Sequence, residues 1–138
     1  MYNINNLQMD NQEQISAQII GKWKAVSDKY VFNDKKGNSI HPDQINTELD
    51  IVIGLDGKNI KSTDNETFPS KATYEIHNEG NEFYIIQSSG KETEVYAVKV
   101  NENNMIWTTE PEGMQFNKDG KWLSSPNTIY TIEFTKVE

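Results

Sequence analysis

The side chains that could do acid–base, nucleophilic or metal chemistry are few and scattered. The chain holds two histidines, His41 and His77, and no cysteine. Neither histidine sits in an i, i+4 helical pair or at a spacing that ligates zinc. His41 precedes a proline in a polar stretch and His77 falls on the solvent phase of an alternating segment, so both read as solvated side chains. Lacking cysteine, the chain has no thiolate nucleophile, zinc–thiolate cluster, iron–sulfur cluster or disulfide. All 13 basic residues are lysine, so no planar guanidinium is available to clamp a phosphate or carboxylate. Serine and aspartate are abundant, yet no Gly-x-Ser-x-Gly elbow presents a nucleophile, and neither type of glycine-rich phosphate loop occurs. Asp64 with Glu66 and Glu110 with Glu112 fall in loops without an EF-hand pattern and read as solvated acidic surface. Glu92 and Glu94 share one face of a segment. They are either exposed or aimed together into a polar cavity, where repulsion would drive their pKa values apart. The expectation is a chain that is no enzyme and carries no cofactor or metal. An enzyme would have to work with carboxylates or tyrosine alone.

The sharper candidates are aromatic. Among 3 Trp, 6 Tyr and 5 Phe, Tyr74, Phe83, Tyr96, Trp107 and Phe134 lie at alternating positions of different segments and converge on one interior. They either fill it or line an apolar cavity, in which tyrosine hydroxyls and a Glu or Gln would fix a ligand's polar group. Phe32, Phe68, Phe116 and Trp122 fall in loops or a small ribbon, where they form a rim, meet a partner or fold down as caps.

The elements that position these side chains are short runs of period two separated by turn residues. The first strand covers Ile19 to Ser27, after a helical turn in which Ile15 and Ile19 lie four apart. Residues 28–46, polar and containing Pro42, predict a long loop or lid from which Tyr30, Val31, Phe32 and Ile40 pack down. Leu49, Ile51, Ile53 and Leu55 alternate with polar neighbours. Asp56-Gly57 then predicts a type I′ hairpin turn into a weaker strand over 58–63. Further strands cover 72–77, 83–86, 92–100, 105–109 and 128–137, with a small ribbon around Lys118-Asp119-Gly120-Lys121. Eight principal strands without a long helix give an all-β chain, and short connections favour an antiparallel meander. Closing the last strand on the first removes the exposed edges, which predicts an eight-stranded up-and-down barrel. An interior of that strand number is filled by side chains or holds one small ligand. Residues 1–14 form a flexible polar lead and 15–138 the barrel domain.

Ile20-Gly21-Lys22-Trp23-Lys24, after a helical turn and at the head of these strands, resembles the Gly-x-Trp signature of lipocalins and related calycins. The resemblance implies that Trp23 plugs the closed end of the barrel beneath a basic residue of the last strand. Lys136 is the basic residue at that place here. Thr93-Glu94-Val95-Tyr96 loosely resembles the family's second motif, Thr-Asp-Tyr. With no helix after the last strand and no cysteines, the chain is most similar to short bacterial lipocalin-like domains, often attached to the cell envelope. That resemblance implies a non-enzymatic protein binding a small hydrophobic or amphipathic ligand, with Tyr74, Phe83, Tyr96, Trp107 and Phe134 as barrel lining and 28–46 as a lid. It also implies a periplasmic or membrane-anchored lipoprotein, held through a segment preceding Met1, in preference to a cytoplasmic protein.

The net charge of −8 disfavours nucleic acid and anionic lipid as partners. It motivates an alternative, an acidic protein-interaction module that uses the barrel as a scaffold for a basic partner. No run of 18 apolar residues suggests a transmembrane segment, and the N-terminus lacks the pattern of a signal peptide. Asn65-Glu66-Thr67 matches a glycosylation sequon, a chance match in a chain with 16 asparagines.

Overall fold

The computed structural model describes residues 12–63, 68–111 and 114–137. Most of the polar lead, the Asp64 and Glu66 pair with its sequon, and Glu112 lie outside the described residues. A short helix α1 (12–18) opens the fold, three residues ahead of the boundary expected at Ile15. Eleven strands follow: β1 (Gly21–Asn33), β2 (Ser39–Asn46), β3 (Val52–Leu55), β4 (Asn59–Ser62), β5 (Lys71–Glu79), β6 (Glu82–Ser89), β7 (Glu92–Val100), β8 (Asn104–Thr109), β9 (Gln115–Lys118), β10 (Lys121–Ser124) and β11 (Asn127–Lys136). In the main sheet the order is β11-β8-β7-β6-β5-β4-β3-β1-β2, and β11 also pairs with β1. The eight strands β1, β3–β8 and β11 therefore close into an antiparallel up-and-down barrel, as the alternation and short turns predict.

Two departures from the expected layout share one cause. A bulge between Ala25 and Ser27 shifts the β1–β11 register by one residue, leaving Val26 exposed. An extra residue flips every side chain beyond it to the opposite face. Trp23 and Ala25 face inward before the bulge, and Asp28, Tyr30 and Phe32 face inward after it, opposite Ile132, Tyr130 and Thr128. The strand thus continues to Asn33 where a loop is expected. The second half of the expected lid is β2, paired with β1 alone, so that Pro42 sits on an edge where its missing N–H costs nothing. Only residues 34–38 remain as a loop, closed by Asp34, whose carboxylate accepts from the N–H groups of Lys36 and Asn38 at 2.8 and 2.9 Å.

The hairpin turns are also redistributed. At Asp56-Gly57 only the glycine has positive φ (103°) and the loop holds three residues, so the type I′ expectation fails there. Asp56 instead accepts from the N–H groups of Lys58 and Asn59. Asp119 and Gly120 both have positive φ, 54° and 84°, in the β9–β10 ribbon; this is where the I′ turn forms.

The core is one continuous cluster running the length of the barrel, from Ile19 and Trp23 through Ile53, Ile85 and Met105 to Tyr96 and Tyr130. Each fully buried side chain of this kind contributes roughly 1.5–3 kcal/mol.

Candidate functional site

The strand register separates two ends of the barrel. At the first, Trp23 stands between Ile53 of β3 and Lys136 of β11. Gly21 holds φ at +134°, a conformation that L side chains rarely adopt, which accounts physically for the glycine two residues ahead of this tryptophan. The Trp23 indole is fully buried, and its Nε1–H donates to the Ile19 carbonyl at 2.8 Å, tying α1 to the barrel floor. Lys136 Nζ lies 5.5 Å from the ring centroid, within cation–π range. The buried indole N–H of this plug is thus paired.

Above it the barrel is packed. Phe68 enters from the loop before β5 and is buried, with its ring centroid 5.6 Å from Trp107 and 6.2 Å from both Tyr96 and Phe134. Trp107 lies 5.2 Å from Tyr96 and 5.2 Å from Phe134. Three of the five candidate lining residues, Tyr96, Trp107 and Phe134, thus meet in one cluster. Phe83 is half-buried at the edge of the core, and Tyr74 is buried with its hydroxyl accepting from the Gly57 N–H at 2.7 Å. Nothing in the residue pattern marked Phe68 for the centre, because a single loop aromatic carries no periodicity.

At the opposite end a cavity of about 250 Å³ opens between β1, β7, β8 and β11. Tyr30, Tyr96 and Tyr130 supply its rings, Glu94 and Thr109 its other polar atoms, and Pro111 and Met114 its edge. The Tyr30 and Tyr130 rings meet at 4.7 Å with a 41° tilt. The Tyr130 hydroxyl donates to Asp28 Oδ2 at 2.9 Å, and the Tyr96 hydroxyl to Glu94 Oε2 at 3.2 Å. Burial raises the Tyr130 phenol far above its ordinary range, and the hydrogen bond and charge of Asp28 push the same way. Tyr96 is raised by burial and then by the charge and hydrogen bond of Glu94. Tyr30 is raised by burial and by Asp28. All three phenols therefore stay protonated near neutral pH, and those of Tyr96 and Tyr130 act as hydrogen-bond donors.

Two buried polar groups next to lining residues of this cavity lack partners among the described residues. Gln87, 2% exposed, has neither Oε1 nor Nε2 hydrogen-bonded among the described residues, and Trp107 Nε1–H is likewise unpaired. Gln87 stands beside Tyr74 of β5 and Glu94 of β7 in the sheet register. Sequence reasoning missed Asp28, Tyr30, Gln87 and Tyr130 as a group. The bulge in β1 hides the inward phase of the first two, and Gln87 follows three apolar residues of β6 as an apparently ordinary strand polar residue.

The remaining sequence candidates lie elsewhere. His77 is exposed with Nε2 3.6 Å from Glu79, while His41 stacks on Phe116 at 4.5 Å and seats the β9–β10 ribbon against β1 and β2. Glu92 and Glu94 are both exposed, and of the two only Glu94 lines the cavity. Among the described residues no cluster of three or more histidine, aspartate or glutamate side chains is placed to hold a metal ion, and no helix is long and apolar enough to cross a membrane. Comparison with protein-family models, with curated proteins and with solved structures finds no match.

Proposed function

We propose that the chain is a non-enzymatic, lipocalin-like binding module that holds a small amphipathic ligand at the tyrosine-lined mouth of its barrel. The observation that carries this reading is the amide of Gln87, buried without a partner among the described residues and paired in the sheet with Glu94, which lines the cavity. A buried amide without partners costs about 1–3 kcal/mol, a cost that a bound ligand or its accompanying water relieves. The packed centre limits the ligand to the mouth: its apolar part rests on the tyrosine rings, and no long chain threads past Phe68. The Gly21-x-Trp23 pattern, the Lys136 stack and the leading helix support the lipocalin-like assignment. The resemblance to envelope-attached domains supports action outside the cytoplasm.

Native mass spectrometry against a panel of small amphipathic metabolites tests the reading. One ligand per chain is expected, with the adduct lost in Thr109→Phe, which fills the cavity. The absence of any adduct, or one indifferent to that substitution, would overturn it.

A second reading, the acidic protein-interaction module, is favoured by one observation. Trp122 is 66% exposed on β10, on the ribbon face opposite the one anchored by Phe116. Affinity purification from the native host with wild type and Trp122→Ser decides it. A partner lost in the variant supports this reading, and equal recovery from both removes it.

A further inference from the structure

The mouth has a charge sign and a ring geometry that specify its ligand further than amphipathic character does. Resting on the proposed function above, we infer that the ligand is a small organic ammonium ion, held by the carboxylate of Glu94 and the rings of Tyr30, Tyr96 and Tyr130, with Asp28 adding its charge from behind Tyr130.

Charge is the first argument. Glu94 lines the cavity and Asp28 is joined to it through the Tyr130 hydroxyl at 2.9 Å. No lysine is among the described lining residues, and the chain has no arginine. An anionic headgroup would meet the Glu94 carboxylate and no cation, whereas an ammonium finds compensation for its lost hydration. The net charge of −8 adds a long-range field of the same sign.

Ring geometry is the second. Tyr30 and Tyr130 form a corner with centroids 4.7 Å apart, and Tyr96 closes another side. Ring faces attract a cation by about 0.5–2 kcal/mol, the more so when desolvated. A neutral polar group gains nothing comparable from them.

Acceptor capacity is the third. Tyr130 and Tyr96 each donate one hydrogen bond to one carboxylate oxygen. A carboxylate offers about four lone-pair sites, so Glu94, which lines the cavity, keeps acceptors free for N–H groups. Gln87, paired with Glu94 in the sheet, carries a buried carbonyl oxygen that is unpaired among the described residues. The volume, about 250 Å³, is below the roughly 300–1,000 Å³ of drug-sized sites, so the amine is small.

Titration calorimetry on the full chain with benzylammonium, benzyltrimethylammonium, benzyl alcohol and benzoate separates charge from shape. At least one of the two cations is expected to bind, with benzyl alcohol and benzoate at least tenfold weaker than that cation. Glu94→Gln, at an exposed position where folding is retained, is expected to weaken the cation at least tenfold and leave the alcohol unchanged. The wild-type series alone decides the matter if the variant does not fold. Benzyl alcohol or benzoate matching the cations, with binding lost in Thr109→Phe, overturns the ammonium assignment and leaves the binding module standing. No binding by any of the four, together with no adduct in the metabolite panel, overturns both.

Discussion

The two ends of the barrel are built from the same elements, aromatic rings beside charged side chains, yet they differ in how their polar groups are satisfied. At the plug, the Trp23 Nε1–H reaches a backbone carbonyl and Lys136 covers the ring. At the mouth, three tyrosines and the Glu94 carboxylate line a cavity, and next to them lie an amide and an indole N–H without partners among the described residues. A closed hydrogen-bond account describes a structural element, and an open one describes a place for something else. Proteins rarely leave buried donors and acceptors unpaired, so the contrast separates the end that holds the fold from the end that serves it.

The largest effect belongs to the plug. Trp23→Ala removes a fully buried side chain and is expected to cost about 3–5 kcal/mol, read as a lower urea midpoint. A loss under 1 kcal/mol would show that the two ends do not differ in this way. Gln87→Met is expected to act in the opposite direction. Replacing an unsatisfied buried amide by an apolar side chain of similar length stabilises by about 1–3 kcal/mol and weakens ligand binding at the mouth. Destabilisation would mean that the amide is already paired.

These two residues also show what is legible in a sequence. Strand alternation in β3, β5 and β11 and the short turns make the closed barrel readable, and the placing of Gly21-x-Trp23 at the head of the strands makes the plug readable. The mouth is not, for identifiable reasons. Val26 adds one residue to β1, so Asp28, Tyr30 and Phe32 fall out of phase with Trp23 and look like loop. Proline and polar residues make β2 look like a lid, although an edge strand tolerates both. Phe68 fills the interior from a loop, where no pattern announces it. Register shifts and single long-range contacts belong to the tertiary structure, and local composition carries no trace of them.

A third prediction concerns alkaline pH. Because the folded-state phenols of Tyr96 and Tyr130 are raised above their unfolded value near 10, the unfolded chain releases protons that the folded chain keeps. Stability is therefore full below about pH 10 and falls as pH rises above it, by up to about 1.4 kcal/mol per pH unit for each phenol. The drop in urea midpoint between pH 9 and 11 should shrink in the Tyr96→Phe, Tyr130→Phe double variant. An unchanged slope would place these phenols in water. The smallest effect is again at the plug: Lys136→Met should cost only about 0.5 kcal/mol, the value of a partly exposed cation–π contact. A loss several times larger would make Lys136 more than a cover for the ring.

The chain carries three tryptophans, one in each region at issue: Trp23 in the plug, Trp107 under the mouth, and Trp122 on the exposed ribbon. Fluorine NMR of protein labelled with 5-fluorotryptophan, titrated with the benzyl ammonium, alcohol and carboxylate series, therefore tests the central claim directly. The account predicts that the Trp107 resonance moves on binding, most strongly with an ammonium ligand, while Trp23 and Trp122 stay in place. A Trp107 signal that stays fixed while Trp23 or Trp122 shifts would contradict it.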